Sequence, residues 1–264
     1  MRSFLLALVA GTTLSIAVTE TRAAAVLYQP AYALDDKLRG PAVPYEPQPG
    51  DIYMSTDTLW LARVGHRMAF SGPPHHSGIV FARPDGRMAV LESGPFNGLY
   101  VETLDLDACV CGHEKRTEKV WIRRRRTPLT PEQSRSLTEW ALAQEGKRFA
   151  IFRLLAQVTL LRSRGYYRTG WLGGPHGERT SYFCSELVME SCVHVGLVSK
   201  DDARPCATYP RDLFFDNSDI PFLKQHLHVI AEGWYPPARC VCSRPGDDVE
   251  IMRSHQVRTE ESRK

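Results

Sequence analysis

The sequence predicts an α+β domain in which an antiparallel sheet packs against helices. Short apolar runs bounded by turn residues fill the first half. Runs with helical spacing and clear end signals follow from Thr130 onward. The order of strands, then helices, then one last strand is that of an α+β domain rather than of alternating strand–helix units.

The elements follow in chain order. Residues 1–25 open with Met1-Arg2, continue with an apolar run from Phe4 to Val18, and end in the small-residue stretch "TRAAA", the pattern of a secretory signal peptide. That run is too short for a comfortable membrane span, and no later stretch approaches ~20 apolar residues. The expected product is therefore secreted or periplasmic, with no integral membrane segment. Residues 26–47 are rich in Pro and polar residues and read as an extended lead-in, so that "GDIYMS" begins the ordered part as a strand. "SGIVFA" and "MAVLES" flank "RPDGR", two strands about a Pro-Asp-Gly turn. "LYVETL" and "KVWIRR" supply two more strands.

The first clear helix starts at Thr130. This residue is the N-cap, Pro131 fits the first turn, and Gln133 completes a capping box. Leu137, Trp140 and Ala141 form the buried face, and Gly146 closes it. "KRFAIFRLLAQVTLLRSRGYY" keeps a helical rhythm through Phe152, Leu155 and Leu160, and a Gly-rich loop leads to "SYFCSELVMESCVHVGLV". There Leu187, Val188, Cys192 and Val195 make an apolar stripe, and Gly196 sits at the C-terminal cap. "LHVIAEGWY" reads as the final strand, and residues 243–264 as a charged, disordered tail.

Charge excludes one class of partner. The chain carries a formal +3, and loss of residues 1–25 removes Arg2, Glu20 and Arg22, leaving +2. That is not a nucleic-acid-binding balance. The run Arg123 to Arg126 reads as a solvated strand end in preference to an anion patch. Seven cysteines in an exported chain suggest disulfides with an odd thiol. Cys109 and Cys111, and Cys240 and Cys242, form two Cys-x-Cys pairs. On strands each pair points to one face, so two adjacent strands could bridge twice. The rival is a metal site in which "CVCGH" adds His113. Zinc sites more often use Cys-x-x-Cys spacing, so disulfides are favoured, with connectivity open.

Three residues carry the chemistry. Cys184 falls at a helix entrance, where unpaired N–H groups and the helix dipole stabilise a thiolate. A second stabiliser is a histidine, and "PPHHSGIV" offers one. A three-residue Pro84-Asp85-Gly86 turn pairs Arg83 with Arg87 and hence Gly78 with Glu92. His76 and Glu92 then become diagonal neighbours on one sheet face, about 7–8 Å apart between Cα atoms. Glu92 would hold the ring and favour its protonated form while the other nitrogen faces the sulfur. Bland rivals stand beside each residue. Cys184 could be a structural thiol or bridge Cys192 or Cys206, His76 an exposed turn residue, and Glu92 a solvated strand-end carboxylate. Glu186 reads as a stabiliser of the helix start.

The motifs "PGDIYMS", "HHSGIVFA", "LESGP" and "YFCSELV", in that order over roughly residues 48–215, resemble the circularly permuted members of the NlpC-type papain-like amidase superfamily, the YiiX/YaeF-like group in particular. The resemblance implies a permuted papain-like catalytic domain over 48–242, with Cys184 as nucleophile, His76 as general base and acid, and Glu92 as the orienting residue. Only the spacing to Gly78-Ile79 selects His76 over the adjacent His75. The Cys184 backbone N–H would help hold an oxyanion, with Tyr182 as a second candidate donor. This chemistry calls for no metal or organic cofactor. The expected activity is hydrolysis of an amide bond through a thioester, with cell-wall peptide as the candidate substrate. The alternatives are thiol-dependent acyl transfer or ester hydrolysis on a lipid, and a binding domain without turnover. The substrate is a peptide or acyl compound; Tyr166, Tyr167 and Trp171, in the stretch from Lys147 to Thr180, either line its pocket or pack the domain.

Overall fold

A computed structural model of the chain describes residues 25–28, 34, 37–58, 60–69, 71–94, 99–116, 118–218 and 220–242. The expected signal peptide (Ala25 apart) and the charged tail lie outside the described residues. The strands are β1 (Ala25–Tyr28), β2 (Ala42–Pro44), β3 (Ile52–Ser55), β4 (His76–Ala82), β5 (Met88–Ser93), β6 (Val101–Asp105), β7 (Val120–Arg123), β8 (Arg148–Phe149), β9 (Ser181–Tyr182) and β10 (Ala238–Cys242). The helices are α1 (Trp60–Met68), α2 (Leu106–Lys115), α3 (Pro131–Gln144), α4 (Ile151–Ala156), α5 (Arg168–Leu172), α6 (Cys184–His194), α7 (Pro210–Phe215) and α8 (Pro221–Gly233). Eight strands form one sheet in the order β2-β1-β10-β7-β3-β4-β5-β6, with every neighbouring pair antiparallel. β8 and β9 make a separate parallel pair. The fold is α+β.

Strand alternation gives the sheet two apolar faces. Ile52, Met54, Ile79, Phe81, Leu91 and Trp121 pack with Leu137 of α3 and with Leu187, Val188 and Cys192 of α6. On the other face Tyr53, Val80, Val90 and Ile122 pack with Leu106, Cys109 and Val110 of α2. Burial of each such aliphatic side chain contributes about 1.5–3 kcal/mol, so α6 is anchored to the sheet by its stripe rather than by helix propensity. The α3 capping box forms as its sequence requires, with Gln133 N donating to Thr130 Oγ1 at 3.2 Å and Thr130 N to Gln133 Oε1 at 3.1 Å.

The β4–β5 turn contains three residues. Arg83 N donates to Arg87 O at 2.8 Å, and Gly86 takes the left-handed conformation at φ +81° that closes such a turn. Gly78 therefore pairs with Glu92.

Other expectations change. Residues 26–47 are not merely a lead-in: β1 pairs with β10 and β2 with β1, so the sheet begins well before Gly50. Residues 227–235 do not form the final strand; residues 221–233 are α8, with Leu223 and Ile230 both fully buried two turns apart. The last strand is β10, which carries the second Cys-x-Cys pair. Arg123 is buried and paired with Asp216, Arg125 lies 4.2 Å over the Trp234 ring, and Arg124 and Arg126 lie over Tyr235. The arginine run is thus neither a solvated end nor an anion patch; it braces β7 against the Trp234-Tyr235 segment.

The cysteine pairs do not bridge twice. Cys109 and Cys111 stand on α2, where residues two apart point in different directions. Cys111 bridges Cys242, whereas Cys109 and Cys240 are buried free thiols.

Candidate active site

His76 is the first residue of β4, and Glu92 lies near the end of the antiparallel β5. The three-residue turn places both on the α2 face, and His76 Nε2 lies 3.0 Å from Glu92 Oε2. Two glycines make room for this contact. A Cβ on Gly78, directly opposite Glu92, would sit 2.6 Å from Val90 Cγ1 and 2.9 Å from Leu91 O. A Cβ on Gly94 would sit 3.1 Å from His76 Cε1. Both were visible in the motifs "HHSGIVFA" and "LESGP", yet their steric purpose needs the register.

Cys184 arrives from the other layer, at the first position of α6. Glu186 caps this helix, its carboxylate accepting from Phe183 N at 3.3 Å. Arg153 at 2.6 Å and Arg179 at 3.4 Å neutralise it. Glu186 therefore stabilises the helix start, as its position suggested. Ser93 Oγ donates to Tyr182 O at 2.8 Å, tying the end of β5 to the segment that enters α6. Ser185 Oγ donates to Thr208 O at 2.6 Å. These ties bring the Cys184 thiol beside the His76 side chain, close enough for the two to interact electrostatically. With Nε2 on Glu92, Nδ1 is the nitrogen left for the sulfur.

The electrostatics suit this arrangement. Burial alone would push the Cys184 thiol up. The neighbouring His76 ring and its charge, followed by Ser77, more than offset it, and the thiol lies below its ordinary value. Burial alone would push His76 down, but the Glu92 charge and the Cys184 and Glu92 hydrogen bonds hold it well above the usual imidazole value. Both side chains are nearly buried, at 8 % exposure for Cys184 and 9 % for His76. Ser77 is a contributor that sequence reasoning missed; it follows His76 directly and points to the α6 face because strand neighbours alternate.

His75 has a different place. Its Nδ1 accepts from Asp57 N at 3.1 Å, and its ring lies 5.0 Å from that of His66. Burial, then Arg63, pushes it down to about 4. Tyr182 corrects the expectation of a second oxyanion donor. It is fully buried, and its hydroxyl donates to Gly177 O at 3.3 Å while accepting from Arg179 N at 2.8 Å. The hydroxyl proton is committed to the loop before β9. Cys192 and Cys206, the disulfide rivals, are free thiols like Cys184.

The expected continuous helix after Lys147 is broken. Only α4 and α5 are helical, and Phe152, Leu160, Leu161, Tyr167 and Trp171 are 78–91 % exposed. These side chains do not pack the domain, and Leu160 and Tyr167 line an open cavity together with Arg164, Tyr166 and Arg168. No known family's sequence profile matches the chain, and no curated protein matches it. Among solved structures, the crystal structure of the metalloprotein YiiX from Escherichia coli O157:H7 is similar at 21 % identity, covering 57 % of this chain and 67 % of that one, with a TM-score of 0.38.

Proposed function

We propose that this protein is an exported cysteine hydrolase of the permuted papain-like kind that cleaves an amide bond through a thioester. The observation that carries the reading is the Cys184–His76–Glu92 chain. It joins a thiol at a helix start, an imidazole in contact with it, and a buried carboxylate 3.0 Å from the far ring nitrogen. Chain order is no obstacle, since a catalytic constellation is defined by geometry. The Cys184 thiolate attacks the carbonyl carbon, and the carbonyl electrons move to oxygen near the first-turn N–H groups of α6. The tetrahedral species collapses as His76 gives its proton to the leaving amine. His76 then takes a proton from water, whose oxygen attacks the thioester and releases the acid and the thiolate. Glu92 keeps the ring oriented and balances its charge throughout.

Cell-wall peptide is the amide polymer that an exported enzyme would meet. The test is alkylation of Cys184 as a function of pH in the parent and in His76→Ala, followed by incubation with wall peptides. Fast labelling below pH 8 that slows in His76→Ala, together with release of new amino groups from the peptide, is the expected result. Slow labelling that is unaffected by His76→Ala overturns the reading.

One observation favours the second reading, transfer of an acyl group from a lipid. Between Lys147 and Gly177 the chain has Lys147, Arg148, Arg153, Arg162, Arg164 and Arg168 and no acidic residue, with Lys147, Arg153 and Arg164 paired to Glu178, Glu186 and Asp212. It also carries the exposed apolar side chains above, and α4 packs on Phe183 beside the nucleophile. Exposed apolar side chains of this kind suit the interface of a bilayer. Incubation with phospholipid vesicles and an amine acceptor separates the two: a new amide signals transfer, and a free acid signals hydrolysis.

A further inference from the structure

The motif "CVCGH" has a feature that the disulfide does not use. Cys111 turns outward to Cys242, while Cys109 and His113, one helical turn apart on α2, face inward to Glu92. One donor atom from each of Glu92, Cys109 and His113 lies within 4.8 Å of the other two, and all three residues are buried. Cys109 Sγ is 3.9 Å from Glu92 Oε2. The second nitrogen of His113 is already held, since Nδ1 lies 2.5 Å from Glu118 Oε2, which leaves Nε2 for a ligand. A carboxylate behind a histidine in this way fixes the ring and raises its basicity toward an ion. The buried Tyr53 hydroxyl lies against Ser55 and Cys109, and its ring centroid lies 5.5 Å from that of His113.

We propose that Glu92, Cys109 and His113 form a buried site for a zinc-class divalent ion, next to the catalytic pair. The donor set is one sulfur, one nitrogen and one oxygen. This suits zinc or cobalt and not calcium or magnesium, which take oxygen ligands. On binding, the Cys109 S–H bond breaks, its proton leaves to solvent, and the sulfur bonds to the ion with no change of oxidation state. The site shares Glu92 with His76. Resting on the catalytic reading above, a bound ion competes for the same Glu92 oxygen that lies 3.0 Å from His76 Nε2 and 3.9 Å from Cys109 Sγ, and so takes away the group that orients the His76 ring toward Cys184. Zinc becomes a brake on the nucleophile.

The test uses the full chain stripped with a chelator and titrated first with Co²⁺, then with Zn²⁺. Cys184→Ala is expected to bind one cobalt per chain with thiolate-to-cobalt charge-transfer absorption, which Zn²⁺ displaces. Cys109→Ser loses that absorption, and Glu118→Gln weakens binding by about 10–100-fold. His113→Gln serves as the second ligand variant if Cys109→Ser melts early. Absence of the absorption from the parent, or its survival in both ligand variants, overturns the site. Loss only in Cys184→Ala does so too, by placing the ion on the nucleophile. For the coupling, Zn²⁺ is expected to slow alkylation of Cys184 in the parent but not in Cys109→Ser. Equal slowing in both refutes the brake. Because the cobalt measurement in Cys184→Ala needs no catalysis, its outcome is independent of the hydrolase reading.

Discussion

Replacing Glu92 by Gln keeps the shape of the side chain and removes its charge. In the native site the carboxylate lies 3.0 Å from His76 Nε2 and is nearly buried. A hydrogen bond to a charged group contributes about 1.5–3 kcal/mol. At 1.36 kcal/mol per factor of ten, its loss lowers the thiolate–imidazolium population about 10- to 150-fold where that form is the minor one. The pure Coulomb energy at this distance is larger, about 5 kcal/mol at an effective dielectric of 20, but the amide still orients the ring. The assay is the rate of iodoacetamide labelling of Cys184 from pH 5 to 9, located by peptide mass spectrometry. In the parent, labelling persists on the acid side because His76 is held above, and Cys184 below, its ordinary value. In Glu92→Gln the acid limb falls and the profile moves toward that of an ordinary thiol. An unchanged acid limb in a variant that melts like the parent would refute the role assigned to Glu92.

Gly78→Ala places a methyl 2.6 Å from Val90 Cγ1 and 2.9 Å from a backbone oxygen, so about 1–3 kcal/mol of stability and much of the Cys184 reactivity are lost together; thermal melting and labelling check this. His75 is held neutral, down to about 4. A depressed base binds protons more readily when unfolded, so its contribution is present above pH 6.5 and is lost as pH falls through 4, with a full size of about 3 kcal/mol. Melting between pH 7 and 4.5 should therefore be less acid-sensitive in His75→Gln than in the parent. The Cys111–Cys242 bridge spans 131 residues, and chain entropy sets a ceiling of about 5 kcal/mol on its effect. Reductant should lower the parent's melting temperature and leave the Cys111→Ser/Cys242→Ser variant unmoved.

Local rules were legible in the chain itself. The Thr130 capping box, the Pro84-Asp85-Gly86 turn and the stripe on α6 each depend on residues a few positions apart. Their geometry follows from backbone sterics and hydrogen bonding. The turn length carried the Gly78–Glu92 register with it, because pairing propagates from the turn, and the register brought His76 and Glu92 to one face. What spacing could not reveal was partnership across the chain. α8 looked like a strand because a short apolar run satisfies both periods, and only packing decides between them. β1 found its place through β10, more than two hundred residues away. The arginine run found aromatic faces where solvent was expected, and Tyr182 found the loop at Gly177. Sequence by itself determined which residues could do thiol chemistry and how His76 meets Glu92. Only the tertiary structure decided what else they meet: Ser77 for the sulfur, and Cys109 and His113 for Glu92. Such contacts depend on how α6 and α2 pack on opposite faces of one sheet, and no local periodicity encodes that packing.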